Sequence, residues 1–129
     1  MAGTTTRTEE KPSPKVVKHI IAATADASNG AVLSLAFGKV DGWIMGFKTI
    51  PGSPAPTAGY SVTLSDSSGV DVLGGMGAGR SASVAESGVC LHGGAYNPMR
   101  RVDSVLTFAA TGNSVNSAVI TFEMTVLLD

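Results

Sequence analysis

Apolar and polar residues alternate with a period of two in the second half of the chain, as in strands with one buried and one solvated face. Tyr60, Val62 and Leu64 alternate with hydroxyl-bearing residues as far as Ser65. The last apolar stretch repeats this pattern, and its predicted core-facing residues are Ala118, Ile120, Phe122, Met124 and Val126. We therefore predict strands over 60–65, 102–111 and 118–127, with Leu127 on the face opposite the core.

Turn residues divide the chain between these runs. Asn29-Gly30 and Asp41-Gly42 are each flanked by apolar residues, the pattern typical of two-residue hairpin turns. They predict a meander through 31–40 and 43–50. Prolines 51, 54 and 56 interrupt pairing, so we expect the chain to cross between sheets there.

Another turn is predicted at Asp66–Gly69, whose side chains bond their own backbone. A short strand over 70–73 then returns. The glycine-rich run Gly74–Arg80, continuing with Ser and Ala to Val84, predicts a loose surface loop.

The first 14 residues are polar, rich in threonine and contain two prolines, which predicts a flexible or extended N-terminal arm. From Lys15 to residue 129 we expect one β domain, beginning with a β-branched run over 16–25 that favours strand over helix. Seven or eight short strands without an amphipathic helix predict an all-β fold, a small antiparallel β-sandwich or jelly-roll-like domain, with a barrel as the alternative.

Composition limits the possible functions. Only 15% of the residues are charged, against about 25% in a typical soluble domain, so either a partner covers part of the surface or Ser and Thr solvate it. Residues 1–18 carry a net +2 and the remainder −3, which predicts a mildly basic arm on a mildly acidic body. Neither a dense array of basic residues nor interleaved aromatics indicates direct nucleic-acid binding. We expect no membrane span and no secretory signal, and therefore synthesis in the cytoplasm.

Few residues are candidates for chemistry. Cys90 is the single cysteine, which excludes an internal disulfide, and on a strand it shares a face with His92. This pair could be part of a metal site or a Cys/His dyad, but a half-buried thiol beside a surface histidine explains it more simply. Asp66 and Asp71 could offer oxygens to calcium, although turn capping accounts for Asp66. We predict no catalytic residue, cofactor or metal.

Two further motifs have simpler explanations. The run Gly74–Arg80 lacks the Lys-Ser/Thr ending of a phosphate-binding loop. Trp43, Phe47 and Tyr60 could form a sugar-stacking platform, but core burial is the commoner explanation for Trp43.

The segment from Pro51 onward carries a resemblance. P-G-S-x-A-P-T followed by Y-x-V-T-L-x-D-x-x-G-V-D-V-L-G-G resembles a group of small virion structural proteins of tailed bacteriophages. The similarity extends to the final strands over 107–127 and departs around 87–101. It implies a component of the particle, with a capsid decoration (cement) protein as the preferred role. A tail, neck or fibre-associated protein, a β-module that binds a cell-surface glycan or protein, and an enzyme using Cys90 and His92 are the alternatives.

The resemblance also implies a partner and a location. The partner would be the major capsid protein of the phage head, the location the capsid surface, and the protein a homo-oligomer assembled in the host cytoplasm. An arm of this kind can add a strand to a sheet edge of a neighbouring subunit. The basic residues expected to contact partners are Arg7, Lys11, Lys15, Arg100 and Arg101. Arg100 and Arg101 suit an acidic partner surface, or they belong to an ordinary exposed turn.

Overall fold

A computed structural model describes residues 3–92, 95–97 and 99–128, with the backbone alone for His92, Tyr96 and Asn97. Strands and turns account for the regular structure of these residues, and none of them lies in a helix. The strands are β1 Thr4–Ser13, β2 Val16–Thr24, β3 Leu35–Pro51, β4 Ser61–Ser65, β5 Glu86–Gly88, β6 Cys90–His92, β7 Ala95–Asn97, β8 Arg100–Thr111 and β9 Val119–Leu127.

Seven of the strands form one antiparallel sheet in the order β1-β2-β9-β3-β8-β4, with β5 also paired to β3. Strands β6 and β7 form a separate two-stranded sheet. The domain is a small β-sandwich-like structure, which confirms the predicted all-β antiparallel fold class. Strands β2, β4, β8 and β9 also confirm the strands predicted in those segments.

Strand β3 joins the two halves of the sheet. Its first part, Leu35–Ile44, pairs with β8, and its second part, Trp43–Pro51, pairs with β9. The register shifts between Phe37 and Lys39 and again between Ile44 and Gly46. Such bulges bend a strand and increase its twist, so β3 can follow both halves around a shared core.

The core lies on one face of this sheet. The ring of Phe122 lies 5.9 Å from that of Phe47 and 5.4 Å from that of Phe108, measured between centroids. Phe122 comes from the predicted core face of β9, and all five residues predicted on that face are buried. The alternation along β9 therefore assigned its faces correctly.

The predicted hairpin at Asp41-Gly42 is wrong, because β3 continues through both residues. Gly42 faces inward, where a Cβ atom would lie 2.6 Å from the carbonyl oxygen of Leu127. The glycine is needed for this close approach of two strands and not for a turn. Asn29-Gly30 does lie in a turn, with a φ of 74° at Gly30, but the flanking strands β2 and β3 do not pair because β9 lies between them.

The predicted turn at Asp66–Gly69 is confirmed. The amide of Gly69 donates to the carbonyl of Asp66 at 3.0 Å, and Gly69 has a φ of 85°. The predicted strand over 70–73 is wrong: a single bridge joins Ser65 and Asp71, and turns follow.

The glycine run after Leu73 is not a loose loop, which corrects that prediction. The amide of Val62 on β4 donates to the carbonyl of Gly77 at 2.8 Å, so the run covers the outer edge of this strand. A Cβ atom at Gly74 would lie 1.8 Å from the carbonyl oxygen of Leu91. The glycines allow this segment to pack directly against β4 and the chain around Leu91.

The N-terminal segment is extended over residues 4–13 and forms β1, which pairs with β2 from Thr4–Thr24 to Ser13–Val16. Regular structure thus starts before Lys15. The division into an arm of residues 1–14 and a domain of residues 15–129 stays a prediction.

Candidate partner-binding surface

Four residues on neighbouring strands form a continuous row across the outer face of the sheet. Val16 lies opposite Leu127, Leu127 opposite Trp43, and Trp43 opposite Arg101. Their chain neighbours Val17, Val126, Ile44 and Val102 are buried. Because successive side chains of a strand alternate between faces, the row must point away from the core. We call these four residues the Trp43 row.

Trp43 is the largest apolar side chain of the row, and 36% of it is exposed. The guanidinium carbon of Arg101 lies 6.0 Å from the centre of its ring. Arg101 also forms an ion pair with Asp41 and donates to the carbonyl of Gly42 at 3.3 Å. The ion pair and the hydrogen bond thus hold Arg101 over the ring, and a cation in this position is attracted by the electrons of the ring face.

A shallow depression of about 450 Å³ adjoins the row. Met45, which lies at the β3 bulge, lines this depression, and 41% of its side chain is exposed. An ion pair of 3.1 Å between Lys18 and Glu123 lines the depression. The outer face therefore combines apolar side chains with charges that are already paired.

The structure separates the five basic residues predicted to contact partners. Lys15 is exposed in the turn between β1 and β2, directly before Val16, and Arg101 lies at the other end of the Trp43 row. Lys11 is exposed on β1. Arg100 instead donates to the carbonyl of Val72 at 3.0 Å, which holds the turn after β4. Of the five, Lys15 and Arg101 are the two associated with the row.

Arg7 has a contact that the sequence did not predict. Its guanidinium lies 5.6 Å from the ring centre of Phe37 and 3.2 Å from Nδ1 of His19. It also forms an ion pair with Glu9. Arg7 therefore joins β1 to the buried side of β2.

Of the three aromatic residues proposed as a stacking platform, Tyr60 and Phe47 are buried and Trp43 is exposed. The expectation that Trp43 is buried is wrong. Gly42 and Ile44 face the core, so Trp43 between them points to the outer face. The sequence held one signal for the outer-face row, because the alternation along β9 correctly placed Leu127 on the outer face. That Trp43 lies opposite Leu127 could not be predicted without the order of the strands in the sheet.

Cys90 is almost completely buried, with 1% exposure, and not half-buried as expected. Burial raises the pKa of its thiol, because desolvation disfavours the thiolate. A nucleophilic cysteine requires the opposite shift. The side chain of His92 lies outside the described residues, so the proposed pairing with Cys90 does too.

The two aspartates considered for calcium bind backbone amides. Oδ1 of Asp66 accepts from the amides of Ser68 and Val70 at 2.9 and 3.0 Å, which confirms the predicted turn capping. Asp71 accepts from three amides, those of Leu64, Leu73 and Gly75. In the described part of the chain, no group of three or more His, Cys, Asp or Glu side chains could hold a metal ion.

Residues 3–92, 95–97 and 99–128 contain no helix long and apolar enough to cross a membrane. No family model, curated protein or solved structure matches the chain. The class that the fold defines is a small all-β, sandwich-like domain, and the Trp43 row with the adjoining Met45 is the candidate binding surface on its outer face.

Proposed function

We propose that this protein is a non-enzymatic structural component of a tailed-phage virion, a decoration protein that binds the outer surface of the major capsid protein shell and stabilises it. The Trp43 row is the observation that supports a docking role. Exposed apolar residues beside paired charges are typical of surfaces that become buried in a complex. The resemblance of residues 51–79 and 107–127 to small phage virion proteins favours the particle as the site of docking.

The chemistry of the row suggests how the protein would bind. Trp43, Leu127 and Val16 would bury apolar surface against the shell, at about 25 cal/mol per Å². Lys15 and Arg101, at the two ends of the row, would face acidic groups of the shell protein. The proposed mechanism stabilises the shell by burying surface across neighbouring subunits, and it needs no catalytic residue or cofactor.

The location is tested by counting copies of the chain per purified particle, using quantitative mass spectrometry against the major capsid protein. A count in the hundreds, commensurate with the shell subunits, supports decoration. A count between a few and some tens would instead indicate the neck, tail or fibres, and absence from the particle would refute a virion role.

The docking surface is tested by Trp43→Ser, with Val70→Ser as the control. Both side chains are exposed, at 36% and 50%, but Val70 lies in the turn before Asp71 and outside the row. We expect Trp43→Ser to weaken attachment to particles stripped of this protein by about tenfold or more, as truncation of a central aromatic at an interface often does. Equal attachment of the two variants would contradict docking through the row.

A glycan-binding β-module is the second candidate, and the exposure of Trp43 favours it specifically, because an exposed indole can stack on a sugar ring. Titration of the protein with host-surface polysaccharide, followed by Trp43 fluorescence, separates the two functions. A saturable spectral change would support the glycan module. No change, together with retained attachment to particles, would support decoration.

A further inference from the structure

We propose that β1 is a self-association edge, along which a second copy of this chain adds its own β1 in antiparallel orientation to form one continuous sheet through both molecules. This inference does not depend on the proposed function. It rests on three properties of β1, namely its position at the edge of the sheet, its exposure and its charge sequence.

Strand β1 lies at one end of the strand order, and β2 is the strand that pairs with it in the described part of the chain. All six residues from Thr8 to Ser13 are exposed. An edge strand presents a row of backbone N–H and C=O groups that can pair with another strand. The opposite edge of the sheet differs, because β4 is covered by the segment around Gly77.

Symmetry restricts how two copies of β1 can pair. A two-fold axis normal to the sheet keeps outward side chains on the outer face in both copies. Because residues directly opposite each other share a face, this axis must pass midway between one residue and the same residue of the second copy. An axis at Arg7, Glu9 or Glu10 would place like charges directly opposite each other, which destabilises a strand pair. These registers are therefore unfavourable.

An axis at Thr8 gives the complementary register. Arg7 then lies opposite the Glu9 of the second copy on both sides of the axis, and opposite charges across a strand pair are stabilising. No like charges face each other in this register. An axis at Thr6 also avoids repulsion, but it shortens the overlap and matches no opposite charges. The regular pairs of the Thr8 register are Thr8–Thr8, Arg7–Glu9 and Thr6–Glu10, because the alternation of β1 is interrupted by a bulge between Glu10 and Ser13.

The register also accommodates Pro12, which cannot donate a backbone hydrogen bond. Pro12 lies in the bulge between Glu10 and Ser13, beyond the regular pairs, so its missing N–H interrupts no central pair. Because the axis is normal to the sheet, both copies present their Trp43 rows on the same side. Self-association would therefore leave both rows exposed.

The charge register is tested with Arg7→Glu and Glu9→Arg in the full chain. The wild-type protein should form a concentration-dependent dimer in sedimentation velocity, and each variant alone should associate at least about tenfold more weakly, because like charges then lie opposite each other. An equimolar mixture should form a heterodimer. In the mixed pair, the two acidic side chains of the Arg7→Glu chain lie opposite the two basic side chains of the Glu9→Arg chain.

The mixture also separates association from folding. Both variants break the ion pair between Arg7 and Glu9 within the chain, and mixing cannot restore that contact. A dimer that appears only in the mixture supports the interface. Wild-type protein that stays monomeric at several hundred micromolar, or folded variants that do not associate on mixing, would overturn it.

Cysteine substitution tests the position of the axis and keeps the proposal falsifiable if a charge variant misfolds. Thr8→Cys should form a disulfide-linked dimer on mild oxidation, because the two sulfurs lie beside the axis. Thr6→Cys is the matched control, since its two copies would be offset by four residues, or about 14 Å. The native Cys90 is buried and should not react. Equal cross-linking of the two variants, or none with Thr8→Cys, would refute the register.

Discussion

Buried polar side chains connect separate elements of this domain. Arg80 is only 7% exposed, yet Nε donates to Oγ1 of Thr49 at 2.8 Å, and the two terminal nitrogens donate to the carbonyls of Met76 and Glu86. Its guanidinium also lies 5.2 Å from the ring centre of Phe47. A buried charge is tolerated when it is hydrogen-bonded in this way. Arg80 thereby joins β3, β5 and the glycine-rich segment.

His19 is one residue through which acid should act on stability. Burial lowers the pKa of His19 from its ordinary value of 6.5, and the nearby Arg7 lowers it further, while Glu9 opposes the shift. Arg7 can only donate hydrogen bonds, so Nδ1 of His19 accepts, and the neutral ring carries its proton on Nε2.

The unfolded chain therefore takes up a proton at His19 at a higher pH than the folded chain. The contribution of His19 to stability is complete above pH 6.5 and is lost as the pH falls towards the lower, folded pKa. We expect the free energy of unfolding, measured with urea, to fall below pH 6.5 by at most about 1.4 kcal/mol per pH unit from this residue. His19→Gln is the control and should lack this component below pH 6.5. Identical pH profiles for both proteins would contradict the assignment.

At the scale of the element, β3 determines the shape of the domain. This 17-residue strand pairs with β8 along its first part and with β9 along its second, and two bulges let it bend between them. Gly42 lies near the point where β3 changes partner and where its backbone closely approaches that of β9. Between the two bulges Gly42 and Ile44 face the core, so Trp43 and Met45 face outward and contribute to the candidate docking surface.

Two glycines of β3 provide a matched test of this close approach. A Cβ atom at Gly42 would meet the Leu127 carbonyl oxygen at 2.6 Å and Cγ1 of Val126 at 2.9 Å, whereas a Cβ atom at Gly38 would meet nothing within 4 Å. We expect Gly42→Ala to lower the free energy of unfolding by about 1–3 kcal/mol, the usual cost of overpacking. Gly38→Ala should change it by less than about 0.5 kcal/mol. Urea denaturation of the two variants measures both effects, and equal stabilities would show that the strands can separate at Gly42 without cost.

At the scale of the whole molecule, the two proposed surfaces are distinct. Self-association would use the edge of β1, and docking would use the outer face around Trp43. Val16, at one end of the row, lies on β2 next to β1, but Trp43 itself is separated from β1 by β2 and β9. A dimer formed through β1 could therefore still bind a partner through both of its Trp43 rows.

Fluorescence quenching distinguishes the two surfaces, because Trp43 is the single tryptophan of the chain. If β1 mediates self-association, acrylamide should quench Trp43 with the same Stern–Volmer constant below and above the concentration at which the dimer forms. Protection of Trp43 in the dimer would show that the Trp43 row, and not β1, is the self-association surface. The Thr8→Cys cross-linked dimer provides the reference for an exposed row.

The sequence by itself determined the local features of this protein. The alternation in β4 and β9 assigned the buried residues correctly, and the Asp66–Gly69 turn followed from side chains that bond their own backbone. These features depend on contacts between near neighbours in the chain and on the two-residue repeat of a strand, so they are visible without a fold.

Only the tertiary structure decided which strands are neighbours. Asp41-Gly42 satisfies the local rule for a hairpin, but the chain runs straight through it because β8 and β9, both distant in sequence, pair with β3. The same long-range pairing places Trp43 on the outer face and aligns it with Val16, Leu127 and Arg101 in one row. The free energy of these contacts depends on side chains that meet only when strands distant in sequence pair. The local pattern of residues does not specify the order of the strands in the sheet.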